Sequence, residues 1–364
     1  MTLVHAFDRQ EVNSEMVTIR TTPSRTTPSE VLTDADTRRG GVVATVRLGE
    51  STVVRRSHAS NGPQVGGGRQ VELRTALEIE AIQAAAIVAR AAVDAALRCA
   101  VIGATPASLA SIASGIIAAE RAESLVQNLT IESRVVGHAG HAGHAAFPAS
   151  CCIAVNDRLI HAVPSDEPLC DGDVVSVDVA VRLGGWCADV ADCVVIGRGT
   201  SRSHAMVSGC HEMLEVALAT MAPGVRWSQV AKKMQHVAEA RSLGLVTGYA
   251  GHGIGRALHE APIAPCGIEA GFIERGDFTL LPDMVLSVEP TVVSRPDGIR
   301  SVDADGFAIG CRLVACSDGW TMRTESGAAG CSVERTVVIT RSGCEILDEM
   351  FDGACCSINR SSKL

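Results

Sequence analysis

Two aspartates eleven residues apart lie in a segment whose pattern predicts a β-hairpin. Valines at every second position from 175 to 181 predict a strand whose opposite face carries Asp178. Glycines follow at 184 and 185, and if residues 183 and 184 form the centre of a two-residue turn, Asp189 lies directly opposite Asp178. Cross-strand partners have Cβ atoms about 5 Å apart, so these carboxylates would repel each other and lose hydration. A bound cation would relieve that repulsion, whereas aspartates that face solvent or cap a turn would need none, and the pair alone does not decide between the two.

Three later segments carry residue types that could complete a metal site. His252 lies between glycines that leave room for close backbone approach, and His259 follows seven residues later. Glu289 ends an apolar run, and the proline after it keeps its backbone extended. Glu334 lies in the strand pattern from 333 to 340. Each of these residues alone is more often structural, since such histidines are common in loops and strand glutamates commonly face water.

The elements that must position these residues follow a repeated pattern. Thr75 and Glu78 form a capping box, and apolar residues from Ile79 to Leu97 recur at helical spacing. A second helix follows Pro106, and extended segments begin at about Cys151.

The same order returns roughly 120 residues later. Helices are predicted from His211 to Met221 and from Ser228 to Arg241, and strands resume from Val285. Two helix–helix–strand halves indicate an internal duplication. The predicted class is α+β, with helices covering a mainly antiparallel sheet.

Taken together, the segments resemble the methionine aminopeptidase family, especially its type I members, from about residue 71 to residue 347. The resemblance is carried by Val155-Asn156-Asp157 with Ile160-His161-Ala162-Val163-Pro164, Asp171 to Val179, Gly251 to Arg256 with Leu258-His259-Glu260-Ala261-Pro262, Ser287 to Pro290, and Val333 to Thr340. It implies the pita-bread fold of creatinase- and aminopeptidase-like enzymes, which is built from duplicated halves.

The resemblance also implies the ligands of two divalent metal ions, which would be Asp178, Asp189, His252, Glu289 and Glu334. Four carboxylates and two divalent cations make an approximately neutral site, so metal should stabilise the fold. Oxygen-rich ligands with one imidazole suit Co²⁺, Mn²⁺, Fe²⁺ or Zn²⁺, and the identity of the metal stays open.

Peptide hydrolysis is the activity that the resemblance implies. Two metals would bridge a water and position the hydroxide to attack a peptide carbonyl. Glu289 would transfer the proton to the leaving amine, while His161 and His259 would donate to the carbonyl oxygen and steady the substrate amide. The expected substrates are the N-termini of peptides and nascent proteins, from which one residue, initiator methionine, is removed.

A slot for the methionine side chain is expected beside the metals. By the same resemblance, and together with His161 and His259, its walls would be Phe147, Cys152, Leu258 and Trp320. Plain core packing is the alternative for these four residues. Adjacent Cys151 and Cys152 face opposite sides of a strand, so one of them must point inward.

Departures from the family pattern keep two other functions open. Arg335 follows the last ligand where methionine aminopeptidases usually have histidine, and Ser332 and Val333 replace bulkier residues. An arginine there resembles Xaa-Pro aminopeptidases and prolidases of the same fold. A non-catalytic binding protein built on this fold is the other alternative, although all five ligands are present.

Composition argues against nucleic acid and membrane partners. Lys and Arg number 32 against 41 Asp and Glu, for a net charge of −9, and aromatic residues make up only 3% of the chain. Charged residues interrupt the most apolar helical stretch, from Ile79 to Cys99. The 14 cysteines include no C-x-x-C pair, which favours reduced thiols inside a cell.

Three regions are expected along the chain. Residues 1–68 repeat Arg-Thr-Thr-Pro-Ser and predict a disordered tail, with a transit peptide as the alternative, and residues 69–350 form the catalytic domain. Residues 351–364 form a flexible tail that ends in Ser362-Lys363-Leu364. The peroxisomal import receptor binds this tripeptide, so a peroxisome-type organelle (a glycosome in hosts that have one) is expected, with the cytoplasm as the alternative.

Overall fold

The computed structural model describes residues 71–128, 146–295 and 309–349, together with the backbone of four short strands before residue 71. The chain divides into a unit of residues Met1–Ala59 and a unit of residues Ser60–Leu364. Most of the predicted N-terminal tail and the whole tail that ends in Ser-Lys-Leu lie outside the described residues, so the three regional boundaries and the import signal stay predictions. Among the described helices, none is long and apolar enough to cross a membrane.

The described elements comprise five helices and nineteen strands. The helices are α1 (Ala76–Arg98), α2 (Pro106–Ala119), α3 (Ser201–Thr220), α4 (Trp227–Ala240) and α5 (Phe272–Arg275). The strands are β1 (Ala44–Leu48), β2 (Ser51–Arg55), β3 (Gln64–Val65), β4 (Arg69–Gln70), β5 (Glu123–Ser124), β6 (Cys152–Val155), β7 (Arg158–Ile160), β8 (Val174–Leu183), β9 (Trp186–Val195), β10 (Leu243–Leu245), β11 (Gly251–Gly253), β12 (Glu260–Ala264), β13 (Val285–Val288), β14 (Thr291–Ser294), β15 (Leu313–Ala315), β16 (Met322–Thr324), β17 (Gly330–Ser332), β18 (Arg335–Ile339) and β19 (Cys344–Ile346).

The first half of the domain begins at the predicted capping box. The Thr75 hydroxyl accepts a bond from the Glu78 amide, and the Glu78 carboxylate accepts one from the Thr75 amide. The buried face of α1, which includes Ile82, Ala89 and Val93, packs across β8 and β9 and against α2. This packing fixes the hairpin that carries both aspartates.

The second half repeats this arrangement, with two corrections to the predicted bounds. α4 begins at Trp227, within one residue of the prediction, but α3 begins at Ser201, ten residues before the predicted start. The Thr200 side chain caps α3, and its first two turns are rich in serine, which hides the helical repeat. Strands also resume at Leu243 rather than at Val285. The prediction missed β10 to β12 because these strands are short and two of them contain glycine.

The strands form sheets in which every pair of named strands in the described part of the chain is antiparallel. β8 is bonded to β5, β6 and β9, and a five-stranded sheet has the order β12-β11-β13-β18-β19. α1 and α2 cover one hydrophobic cluster, and α3 and α4 cover another. The α+β class with duplicated halves is therefore confirmed.

The register of the β8–β9 hairpin differs from the prediction. Leu183 pairs with Trp186, so the turn is Gly184-Gly185, and Asp178 lies opposite Ala191 rather than Asp189. Both turn residues have positive φ, 58° and 81°, which a two-residue hairpin turn requires and which glycine adopts at no steric cost. The predicted turn centre was wrong by one residue because it placed Leu183 at such a position. The side chains of Asp178 and Asp189 still share a face of the hairpin as diagonal neighbours.

We expect the Gly184→Ala variant to lower the free energy of unfolding by about 1 kcal/mol, since alanine is strained at positive φ. Gly115→Ala is the matched control, because Gly115 lies in the exposed interior of α2 with open space around an added Cβ. That substitution should raise stability by about 0.5–1 kcal/mol. Thermal unfolding of both variants measures the difference, and equal shifts in the two would contradict the turn geometry.

Candidate metal centre

Residues from both halves of the domain line a cavity of about 160 Å³. All five predicted metal ligands line it, as do Cys152, His161 and His259. The predicted pocket residues Phe147, Leu258 and Trp320 do not. The full lining is Cys152, Ala154, Leu159, Ile160, His161, Ser176, Asp178, Asp189, Gly248, Tyr249, Ala250, His252, His259, Ile263, Glu289, Ser332 and Glu334.

Each predicted ligand comes from a strand or from the end of one. The elements are β8 for Asp178, β9 for Asp189, β11 for His252, the end of β13 for Glu289, and the connection between β17 and β18 for Glu334. Hydrogen bonds between β11, β13 and β18 set the second-half residues side by side. A carboxyl oxygen of Asp189, a ring nitrogen of His252 and a carboxyl oxygen of Glu334 lie within 4.8 Å of one another.

Burial and mutual repulsion dominate the electrostatics of the four carboxylates. Burial raises the pKa of Asp178 to about 6, and burial together with the charge of Asp178 raises the pKa of Glu289 to about 8. Burial, and then the neighbouring carboxylates, raise the pKa of Asp189 and of Glu334 well above the usual range. Without a cation, the site therefore favours protonated acids.

His252 presents a neutral imidazole to these acids. Its Nδ1 lies 3.0 Å from the Gly253 carbonyl oxygen, which can only accept, so Nδ1 carries the proton and Nε2 keeps a free lone pair. Burial lowers the pKa of His252 to about 4. The flanking glycines are required by close approach, since a Cβ on Gly251 would lie 2.3 Å from the Ser287 oxygen and one on Gly253 2.1 Å from the Ala261 oxygen.

The donor set fits divalent cations. Asp189 Oδ1 is buried and has no hydrogen-bond partner, which is costly unless a cation occupies the space that it faces. Burial, and then the charge of Asp178, raise the pKa of Asp189, and a bound cation would offset both effects. Ser287 Oγ donates to Glu334 Oε1 and orients that carboxylate.

Two non-ligand histidines lie at the same cavity. The His259 ring centroid is 4.4 Å from that of His252, and His161 lies edge-on to Tyr249 with ring centroids 6.0 Å apart. His161 has φ of 47°, a left-handed backbone that costs about 1 kcal/mol for a residue with a Cβ. The residues on either side hold it there, since Ile160 pairs with Met322 of β16 and the Ala162 carbonyl accepts a bond from the Ile153 amide at 3.1 Å. Such strain at a cavity is typical of a functional residue.

The apolar wall differs in part from the predicted slot. Cys152 lines the cavity while Cys151 packs into the core beneath α1, as their alternation requires. Phe147 is buried against Trp320, with ring centroids 5.4 Å apart, and Leu258 packs on the first-half core cluster. Of the four predicted apolar slot residues, Cys152 is thus the one that lines the cavity.

Other residues that the sequence analysis missed form the wall instead. They are Leu159, Ile160, Tyr249 and Ile263. Tyr249 had a usable signal, because it is the only tyrosine of the chain and precedes the glycine-flanked histidine by three positions. The isoleucines and the leucine had none, since apolar strand residues are ordinarily core residues.

Arg335 does not line the cavity. Its guanidinium lies 2.9 Å from Asp192 Oδ2 and 3.3 Å from Asp348 Oδ2. The resemblance to proline-directed enzymes at this position therefore does not extend to a substrate contact in this structure.

Comparisons with known proteins agree with this site. Residues 80–341 match the model of metallopeptidase family M24. Methionine aminopeptidase 1 of Mycobacterium tuberculosis is 32% identical over 288 residues, which cover 77% of this chain and 96% of that protein. Methionine aminopeptidase of Escherichia coli K12 is 31% identical over 202 residues, which cover 55% of this chain and 70% of that protein.

Solved structures show the same relationship. The crystal structure of methionine aminopeptidase from Thermotoga maritima has a TM-score of 0.65 and 26% identity, and the match covers 77% of this chain and 100% of that one. Prolidase from Pyrococcus furiosus, with a TM-score of 0.53 and 20% identity over 76% of this chain and 65% of that one, shares the fold. The chain thus belongs to metallopeptidase family M24 and is a metalloexopeptidase with the pita-bread fold of the methionine aminopeptidases.

Proposed function

We propose that this protein is a dinuclear metal-dependent aminopeptidase that removes initiator methionine from the N-termini of peptides and proteins. The observation that carries the proposal is that five candidate ligand side chains line one cavity, although the first and the last, Asp178 and Glu334, are 156 residues apart in the chain. The names of the most similar relatives support methionine as the residue removed.

The proposed cofactors are two divalent ions. Asp178, Asp189, His252, Glu289 and Glu334 would hold them, and four ionised carboxylates balance their four positive charges. When bound, such a pair supplies an activated water and stabilises negative charge that develops on the substrate. The ligand chemistry admits cobalt, manganese, iron or zinc.

The remaining chemistry belongs to side chains of this chain. Glu289 lies in the cavity, where its carboxylate can take a proton from the attacking water and pass it to the leaving amine. His161 and His259 line the cavity and would donate to the substrate carbonyl oxygen and steady the substrate amide.

Selection of methionine would fall to the apolar wall. Cys152 and Tyr249 offer a polarisable sulfur and an aromatic face, and both suit a thioether side chain. Phe147, Leu258 and Trp320 stay predicted pocket residues of this proposal.

We expect the purified protein, supplied with Mn²⁺, Co²⁺ or Zn²⁺, to release methionine from Met-Ala-Ser, as measured by mass spectrometry. Asp178→Asn should abolish this release because it removes one anionic ligand, whereas the exposed Glu345→Gln control should retain it. Cleavage of Xaa-Pro peptides instead would identify a proline-directed exopeptidase. No cleavage of either peptide by a metal-loaded protein would favour a non-catalytic binding role.

We expect His259→Asn and His161→Asn each to lower kcat by about 10²- to 10³-fold, because each removes an imidazole that would hold the substrate carbonyl or amide as charge develops. Metal binding, followed by isothermal titration calorimetry, should change little, since neither ring is a ligand. A large loss of metal affinity in either variant, with kcat preserved at saturating metal, would reassign that histidine to the metal.

We expect the metal-free protein to lose thermal stability as the pH rises from 5 to 8.5. Folding raises the pKa values of Asp178 to about 6 and Glu289 to about 8, so the stability present with protonated acids is lost as the pH passes those values. A fall in Tm of about 5–10 °C is expected from shifts of this size. Added metal should reverse the trend, because ligands must be deprotonated.

Differential scanning fluorimetry with and without a chelator provides the measurement for this pH dependence. Glu289→Gln should flatten the metal-free profile, and Glu345→Gln should leave it unchanged. A metal-free Tm that rises between pH 5 and 8.5 would contradict the proposed carboxylate cluster.

A further inference from the structure

Two of the proposed ligands lie at or close to one backbone bridge between the halves. Ala191 of β9 and Glu334, just before β18, form an antiparallel bridge with N–O distances of 3.2 and 2.9 Å. Glu334 is itself a ligand, and Asp189 lies two residues before Ala191. A shift at this bridge would therefore change the separation of the Asp189 and Glu334 carboxylates.

Arg335 closes this bridge from outside the cavity. Its Nη1 donates to the Ala191 carbonyl at 2.8 Å and to the Glu334 carbonyl at 2.8 Å, the same two oxygens that accept the bridge hydrogen bonds. One guanidinium nitrogen therefore ties together both strands. A lysine amine could not reproduce this arrangement, since it lacks the planar fork that also reaches two carboxylates.

Buried acids hold the guanidinium in place. Asp192 Oδ2 lies 2.9 Å from Arg335 Nη2, and Asp348 Oδ2 lies 3.3 Å from Arg335 Nε. Asp192 is also bonded by Arg90 Nη1 of α1 at 2.8 Å and lies 3.3 Å from His211 Nε2 of α3. The network thus connects helices of both halves to the bridge.

We propose that Arg335 is a positioning residue that holds Asp189 and Glu334 at coordination distance against their mutual repulsion. This inference rests on the proposed function of the cavity as a metal centre. Carboxyl oxygens of the two residues lie within 4.8 Å of each other in a cavity that Asp178 and Glu289 also line, so the ionised side chains repel one another. A bridge with four hydrogen bonds and an anchored cation opposes that force better than a bridge with two.

Variants of Arg335 can separate an effect on metal binding from an effect on fold stability. Arg335→Lys and Arg335→Met should weaken the affinity for Mn²⁺, measured by calorimetry on the metal-free full chain, by about 10- to 100-fold. At saturating Mn²⁺, the kcat of Arg335→Lys should return to within about threefold of the unmodified protein, since no reacting group is lost. The rise in Tm on adding Mn²⁺ should shrink in the same variants.

Arg90→Met is the matched control, because it removes the other guanidinium on Asp192 without touching either bridge carbonyl. It should lower the metal-free Tm yet keep the Mn²⁺ affinity within about threefold. Should Arg335→Met fail to fold, Asp348→Asn, which keeps Arg335 but removes one anchor, should still weaken the affinity.

Three outcomes would decide against the inference. If Arg335→Lys leaves the Mn²⁺ affinity unchanged, or if Arg90→Met lowers that affinity as much as Arg335→Lys does, the network has only a structural role. An unmodified protein that binds no Mn²⁺ would overturn both this inference and the proposed function. An unmodified protein that binds Mn²⁺ but cleaves no peptide would overturn the proposed function alone.

Discussion

Four carboxylates line one cavity beside a neutral imidazole, and the mutual repulsion of the carboxylates is the constraint on which the rest of the domain depends. Carboxylates rarely share a desolvated site unless something compensates for their charge. The backbone resists the repulsion through strand pairing on both sides of the cavity. In the proposed metal centre, cations of matching charge would turn this unfavourable cluster into a stabilising one, which would link metal binding to completion of the fold.

The duplicated halves contribute unequally to this cluster. The first half provides two aspartates on one hairpin under α1, while the second half provides the histidine and both glutamates from three neighbouring segments. Aspartates are short and lie on a hairpin directly at the cavity, whereas the glutamates extend from positions at strand ends. The shorter aspartate side chains thus belong to the hairpin that lies directly at the cavity, and the longer glutamate side chains belong to the strand ends.

The starts of α1 and α4 could be predicted from the sequence because their signals are local, while the five ligands, which the family resemblance selects, stay a prediction. The capping box at Thr75 specifies one helix start, and carboxylates within apolar strands, such as Asp178, are unusual enough to stand out. The predicted hairpin register was wrong because the turn was placed one residue too early, which shifts the cross-strand pairing by two residues. A shift of two residues keeps every side chain on the same face, so the alternation pattern could not reveal the error. The cavity wall could not be predicted, because nothing in an isoleucine such as Ile263 distinguishes a pocket wall from a core. The contacts of Arg335 with Asp348 and Ala191 were equally inaccessible, since they join distant segments.

The distribution of the ligands along the chain has a consequence for synthesis. Ribosomes release the hairpin with Asp178 and Asp189 before residues 252, 289 and 334 exist. At that stage water still surrounds the aspartates, so both can stay ionised at little cost. Desolvation arrives only when the second half docks, and the electrostatic penalty falls on that final step. In a nascent chain, the electrostatic cost of the carboxylate cluster would therefore arise when the second half docks, and bound cations could lower that cost at the same step.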